Sequence, residues 1–128
     1  MVVDASVVAT AVVETTSAAA QALTRSAPLT APSILDLEVL QTIRKQVLAG
    51  ALTPRAGAEA VNRFKRLPIA RHPHAALIDR MWALRANLTA YDAAYVALAE
   101  RLRLSLLTAD AAFTTAPGIR CAVKFVQL

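Results

Sequence analysis

Cysteine is nearly absent from this chain: Cys121 stands alone among 128 residues. A lone cysteine excludes an internal disulfide framework and every zinc site built on paired cysteines. Histidine is limited to His72 and His74, and the aromatics to three Phe, two Tyr and one Trp. No apolar run reaches the ~18 residues of a membrane span. The N-terminal stretch MVVDASVVATAVVE has no basic head and is broken at once by Asp4, so it does not read as a signal peptide. These absences point to a soluble, cytoplasmic globular protein with no membrane role.

What is abundant is alanine, with twenty-nine residues in a chain that is 56% hydrophobic. That supports one sizeable core in a single domain over 1–128. Fourteen Lys and Arg against nine Asp and Glu give a net charge of +5. A basic domain of this kind suits a polyanionic partner, nucleic acid first.

Strand and helix signals alternate. Val2-Val3 reads as a short buried strand ending in Asp4, followed by helices over 5–13 and 16–25. Residues 29–31, between Pro28 and Pro32, read as a second strand. Ser33 and Asp36 form a capping box for a helix over 33–49, stopped by Gly50. Thr53-Pro54 opens the next helix, which fades near Arg66. Residues 67–70 read as an edge strand, and 74–86 as a helix ended by Asn87. After Thr89, the spacing of Tyr91, Tyr95, Leu98 and Leu102 gives a helix with those four as its core stripe. Residues 105–108 form a strand running into Asp110, and 119–126 the last strand. The alternation implies an α/β sandwich with a mostly parallel sheet and helices on both faces. Ligands in such folds bind beyond the carboxyl ends of the strands.

Four acids lie where such a site would need them. Asp4 and Asp110 follow strands, Asp92 sits in the first turn of a helix and Glu38 in the second turn of another. Each has a local explanation as a helix cap or a solvated side chain. Together, however, they would repel one another unless a cation neutralised them. An all-oxygen donor set favours Mg²⁺, with Mn²⁺ as a substitute, over zinc. With these four assigned to one pocket, the remainder carries fourteen bases against five acids. An acidic pocket in a basic surface suits metal-dependent cleavage of a phosphodiester backbone.

The segments VVDASV, APSILDLEVL, NLTAYDAAYVALAERL and LLTAD resemble, in order, the four acidic motifs of PIN-domain ribonucleases, and most closely the VapC-type toxins of bacterial toxin–antitoxin pairs. The resemblance covers essentially the whole chain, and the third motif is the most specific. It implies a compact PIN-like α/β/α sandwich and a Mg²⁺-dependent endoribonuclease acting as the toxin of a type II pair. It makes Asp4, Glu38, Asp92 and Asp110 the catalytic and metal-binding quartet, with Ser6 and Thr108 as supporting hydroxyls. It also implies a homodimer and a hetero-oligomer with a VapB-type antitoxin.

Nine of the fourteen basic residues fall in 44–85. Beside an acidic metal site, Arg44, Lys45, Arg63, Lys65, Arg66 and Arg85 become candidates to grip RNA, although charge runs are usually solvated helix faces. Trp82 reads as a core or interface anchor, and Cys121 as a small hydrophobe pointing into the sheet. His72 and His74 flank Pro73 and read as loop or strand edge. The 33–49 helix has one apolar stripe of Val39, Ile43 and Val47 and a second face of Ile34, Leu37 and Leu48, which favours a partner or second subunit. A phosphoacceptor receiver domain fits the length, but Asp4 has no acidic neighbour and Lys124 lies inside the last strand. The remaining alternative is a non-catalytic nucleic-acid or protein-binding α/β module whose acids only cap helices.

Overall fold

The computed structural model describes all residues from Met1 to Leu128. Five short strands form one all-parallel sheet: β1 (Val2–Val3), β2 (Leu29–Pro32), β3 (Ile69–His72), β4 (Leu106–Thr108) and β5 (Val123–Phe125). Their spatial order is β3-β2-β1-β4-β5. The register sets Val2 beside Thr30 on one side and Leu106 on the other.

Helices α1 (Ala5–Val13) and α2 (Ala18–Ser26) connect β1 to β2, and α3 (Leu35–Leu48) and α4 (Pro54–Arg66) connect β2 to β3. A 3-10 turn (Ala75–Leu77), α5 (Ile78–Ala83) and α6 (Ala90–Leu102) lead to β4, and α7 (Ala112–Thr115) leads to β5. The first two crossovers step away from β1 in one direction and the last two step back the other way. With right-handed crossovers, α1–α4 cover one face and α5–α7 the other. The contacts agree: α1 packs on α2, α3 and α4, while α6 packs on α5 and lies across β2, β1 and β4. The order reverses between β1 and β4, which is where an open parallel sheet leaves a crevice at its carboxyl edge.

The core follows from composition. Val2, Val3, Val7, Val8 and Leu106 are completely buried, and α6 buries seven consecutive residues from Ala93 to Ala99. Alanines let that helix sit directly on the sheet. Gly57 serves a similar purpose between helices: a Cβ there would stand 2.6 Å from Val47 Cγ2, so α3 and α4 touch where the sequence has no side chain.

Several local expectations are corrected. Ser33 does not cap α3; its hydroxyl donates to the His72 carbonyl, and Asp36 pairs with Arg71 at 2.7 Å. The helix begins at Leu35 with Ile34 at its cap position and no side-chain cap bond, which brings Glu38 into the first turn. His74 compensates by accepting the Ile34 N–H at Nε2. Tyr91 is not a core residue but 58% exposed, because the alanine-lined side of α6, not its Tyr91 edge, meets the sheet. The expected 74–86 helix is split into the 3-10 turn and α5, and Asn87 then bonds the Pro117 carbonyl. Trp82 is 67% exposed and carries the Arg85 guanidinium over its ring instead of anchoring the core. The last strand is only three residues long.

Candidate active site

Asp4 leaves β1 and becomes the N-cap of α1, where its Oδ1 accepts the N–H groups of Ser6 and Val7 and the hydroxyl of Ser6. Its Oδ2 accepts the Thr108 hydroxyl at 2.6 Å. The capping reading of Asp4 is therefore correct, and it does not exclude the other, because the residue also lines the largest groove of the molecule. The side chain is almost entirely buried, and loss of solvation outweighs its hydrogen bonds, raising its pKa to about 6.

Glu38 enters from the first turn of α3. Its Oε1 accepts the hydroxyl of Tyr95, on α6, at 2.6 Å. Burial raises its pKa; the Tyr95 bond opposes that rise and the nearby Asp92 charge adds to it. Asp92 follows the N-cap Thr89, whose hydroxyl accepts the Asp92 N–H at 3.1 Å. Its pKa is raised by burial first and by the Asp110 charge second. Asp110 lies beyond β4, where its N–H meets Thr108 Oγ1 and its Oδ1 accepts the Ala112 N–H. Helices running antiparallel to parallel strands start at the strands' carboxyl edge. The first turns of α1, α3 and α6 therefore meet the exits of β1 and β4 there, with their N–H dipoles favouring negative charge.

All four acids and Ser6 line one open groove of about 1140 Å³. The molecule has three ion pairs, Arg55–Glu59, Arg71–Asp36 and Arg80–Glu100, and none of the four acids belongs to any of them. These carboxylates thus gather without a cationic partner, and Asp92 is in electrostatic contact with both Glu38 and Asp110. They line the groove without forming a ready-made cage, since no three potential ligands converge at metal-binding spacing. Their chemistry suits a hard divalent cation, with oxygen donors only and no bound base to displace.

The six basic candidates do not form one surface. Arg44 and Lys45 line the acidic groove. Arg63 and Arg66 border a separate cavity with Leu29 and Pro68, at the opposite, amino edge of the strands, and Arg63 Nε donates to the Val12 carbonyl at 2.7 Å. Lys65 lies between them in the last turn of α4, and Arg85 is stacked on Trp82. A run of charge in sequence is divided here by the direction of α4, which carries its C-terminal cations away from the site. Tyr95 is the residue that sequence reasoning placed only in the core; it is buried there and also bonds a site carboxylate. Its position three residues beyond Asp92, one helical turn away, was the available signal.

A PIN domain model matches residues 1–119. Ribonuclease VapC1 of Mycobacterium tuberculosis is 41% identical over 98 residues, spanning 76% of this chain and 74% of that protein. Ribonuclease VapC9 of the same organism is 35% identical over 126 residues, spanning 98% of both chains. Ribonuclease VapC12, again from M. tuberculosis, is 33% identical over 127 residues with the same coverage. With a parallel sheet of the expected kind and a match over nearly its full length, the chain belongs to the PIN-domain family, in its VapC ribonuclease branch.

Proposed function

We propose that this protein is a Mg²⁺-dependent endoribonuclease, the toxin of a type II toxin–antitoxin pair, with Asp4, Glu38, Asp92 and Asp110 as its cation-binding and catalytic residues. The observation that carries the reading is the gathering of four carboxylates, from four separate elements, in one groove with no ion-pair partner. Held by those carboxylates, Mg²⁺ or Mn²⁺ would neutralise them and supply Lewis-acid activation at the phosphodiester.

The chain's own groups set up the rest. Ser6 and Thr108 fix Asp4 through both of its oxygens. Arg44 and Lys45, on the groove wall, offer positive charge to the phosphates on either side of the cut. Arg63, Lys65, Arg66 and Arg85 lie outside that path and suit more distant RNA or a protein partner. Leu37 and Leu48 of α3 are 65% and 69% exposed. An apolar helix face of this kind supports a covering partner, either a second copy of the chain or a VapB-type antitoxin. No helix is long and apolar enough to cross a membrane.

The alternative, that the acids act only as caps, draws support from Asp4 and Asp110, which do bond helix N–H groups. Caps do not require Glu38 and Asp92 to crowd the same groove. The deciding experiment measures RNA cleavage in EDTA and after adding back Mg²⁺ or Mn²⁺, with Asp4→Asn and Asp92→Asn beside the wild type. Cleavage lost in EDTA, restored by either ion and abolished in both variants is the expected result. Wild-type rates in EDTA or in both variants would sink the reading.

A further inference from the structure

Tyr95 is the one deeply buried aromatic hydroxyl in the molecule, with 1% of the residue exposed, and its bond ends on a site carboxylate. The bond joins α6 to α3, two helices that the topology places on opposite faces of the sheet. The first turn of α3 has no side-chain cap from Ile34, and His74 takes the Ile34 N–H instead. These ties, with Ser33 to the His72 carbonyl and Arg71 to Asp36, hold residues before Glu38 and leave its carboxylate free to turn. Tyr95 alone supplies that restraint.

We infer that Tyr95 is a positioning residue for the cleavage site: its hydroxyl occupies Glu38 Oε1 and leaves Oε2 as the oxygen turned to the groove. The inference rests on the metallonuclease reading above. Glu38 then offers a divalent cation one oriented oxygen instead of a freely rotating pair. The consequence is tighter cation binding, through a smaller loss of side-chain freedom on binding. RNA affinity, set largely by phosphate contacts elsewhere in the groove, should not depend on it.

Tyr95→Phe removes only the hydroxyl and keeps the ring in the core. Mn²⁺ binding to the whole protein, followed by the paramagnetic signal of the free ion, should weaken several-fold. In cleavage assays at fixed Mg²⁺, kcat should fall while KM for RNA stays within about twofold. In a Glu38→Gln background, Tyr95→Phe should produce no further loss of Mn²⁺ affinity, because the two substitutions remove one shared element. If Tyr95→Phe fails to fold, 3-fluorotyrosine placed at position 95 keeps both ring and hydroxyl and strengthens the donor, adding only one small ring substituent. Mn²⁺ affinity should then shift without a change in melting temperature. Wild-type Mn²⁺ affinity and kcat in Tyr95→Phe, with only a lowered melting temperature, would make Tyr95 a packing residue and overturn the inference alone. A wild-type protein that binds no Mn²⁺ and cuts RNA in EDTA would overturn the metallonuclease reading as well.

Discussion

Thr108 Oγ1 stands 2.6 Å from Asp4 Oδ2, joining residues 104 positions apart in the chain. The same hydroxyl accepts the Asp110 N–H at 2.9 Å, and Ser6 Oγ, bonded to Asp4, accepts the Ala109 N–H at 3.0 Å. Two hydroxyls therefore stitch the exit of β1 to the exit of β4 and fix the spacing of two site carboxylates. Thr108 is completely buried, so none of this bonding can be replaced cheaply by solvent.

Replacing Thr108 with valine keeps the shape and removes both bonds. The loss leaves a buried carboxylate oxygen and the Asp110 N–H short of partners, with an expected cost of about 1–3 kcal/mol. Thr108→Ser retains the hydroxyl and should cost less. Urea denaturation of the two variants checks this, and equal midpoints would show that the bonds carry no weight.

Stability of the metal-free protein should fall as pH rises. Asp4 has its pKa raised to about 6 from an ordinary 3.8, so between those values the folded chain keeps a proton that the unfolded chain has lost. The ionised group then opposes folding, by at most about 3 kcal/mol above pH 6. Glu38 and Asp92 are shifted in the same direction. Urea midpoints in EDTA should be higher at pH 5 than at pH 7.5, and Asp4→Asn should flatten the difference. A slope unchanged in Asp4→Asn would mean that the charge of Asp4 is already compensated.

RNA affinity should fall linearly with log salt, and the slope should report which cations touch phosphate. Arg44 and Lys45 line the groove, whereas Arg63 and Arg66 sit at the opposite edge. Neutralising Arg44 and Lys45 together should reduce the slope for a short single-stranded RNA by about 1.4. Neutralising Arg63, Lys65 and Arg66 should leave it nearly unchanged. The reverse pattern would move the binding face to the far side of the molecule.

Gly57→Ala should destabilise the fold by about 1 kcal/mol, since overpacking against a stiff valine exceeds the gain in helix propensity. The new Cβ would meet Val47 Cγ2 at 2.6 Å. Val47→Ala in the same chain should restore the loss, which thermal melts of the single and double variants would resolve.

The sequence was sufficient for the strand–helix order and for the position of Asp4, Glu38, Asp92 and Asp110 at strand ends and helix starts. Those are local signals: a short apolar run closed by Asp4, Thr89 three residues before Asp92, Thr53 followed by Pro54. It was insufficient where two segments compete for one partner. Ser33 and Asp36 have capping-box spacing, yet His72 and Arg71 of the neighbouring strand take both side chains. Tyr91 falls on the helical spacing of Tyr95, yet only one of them meets the sheet, because the rotation of α6 is set by where its alanines can approach most closely.

The sequence by itself determined that this is a basic α/β protein with acids at strand ends and helix starts, since charge, periodicity and capping are written residue by residue. Only the tertiary structure decided which cations share the groove with those acids, and which buried hydroxyls hold Asp4 and Glu38 in place. The reason is physical. Thr108 and Asp4, or Tyr95 and Glu38, become neighbours only after parallel strands and right-handed crossovers bring separate chain segments to one edge, and no spacing along the chain encodes that distance.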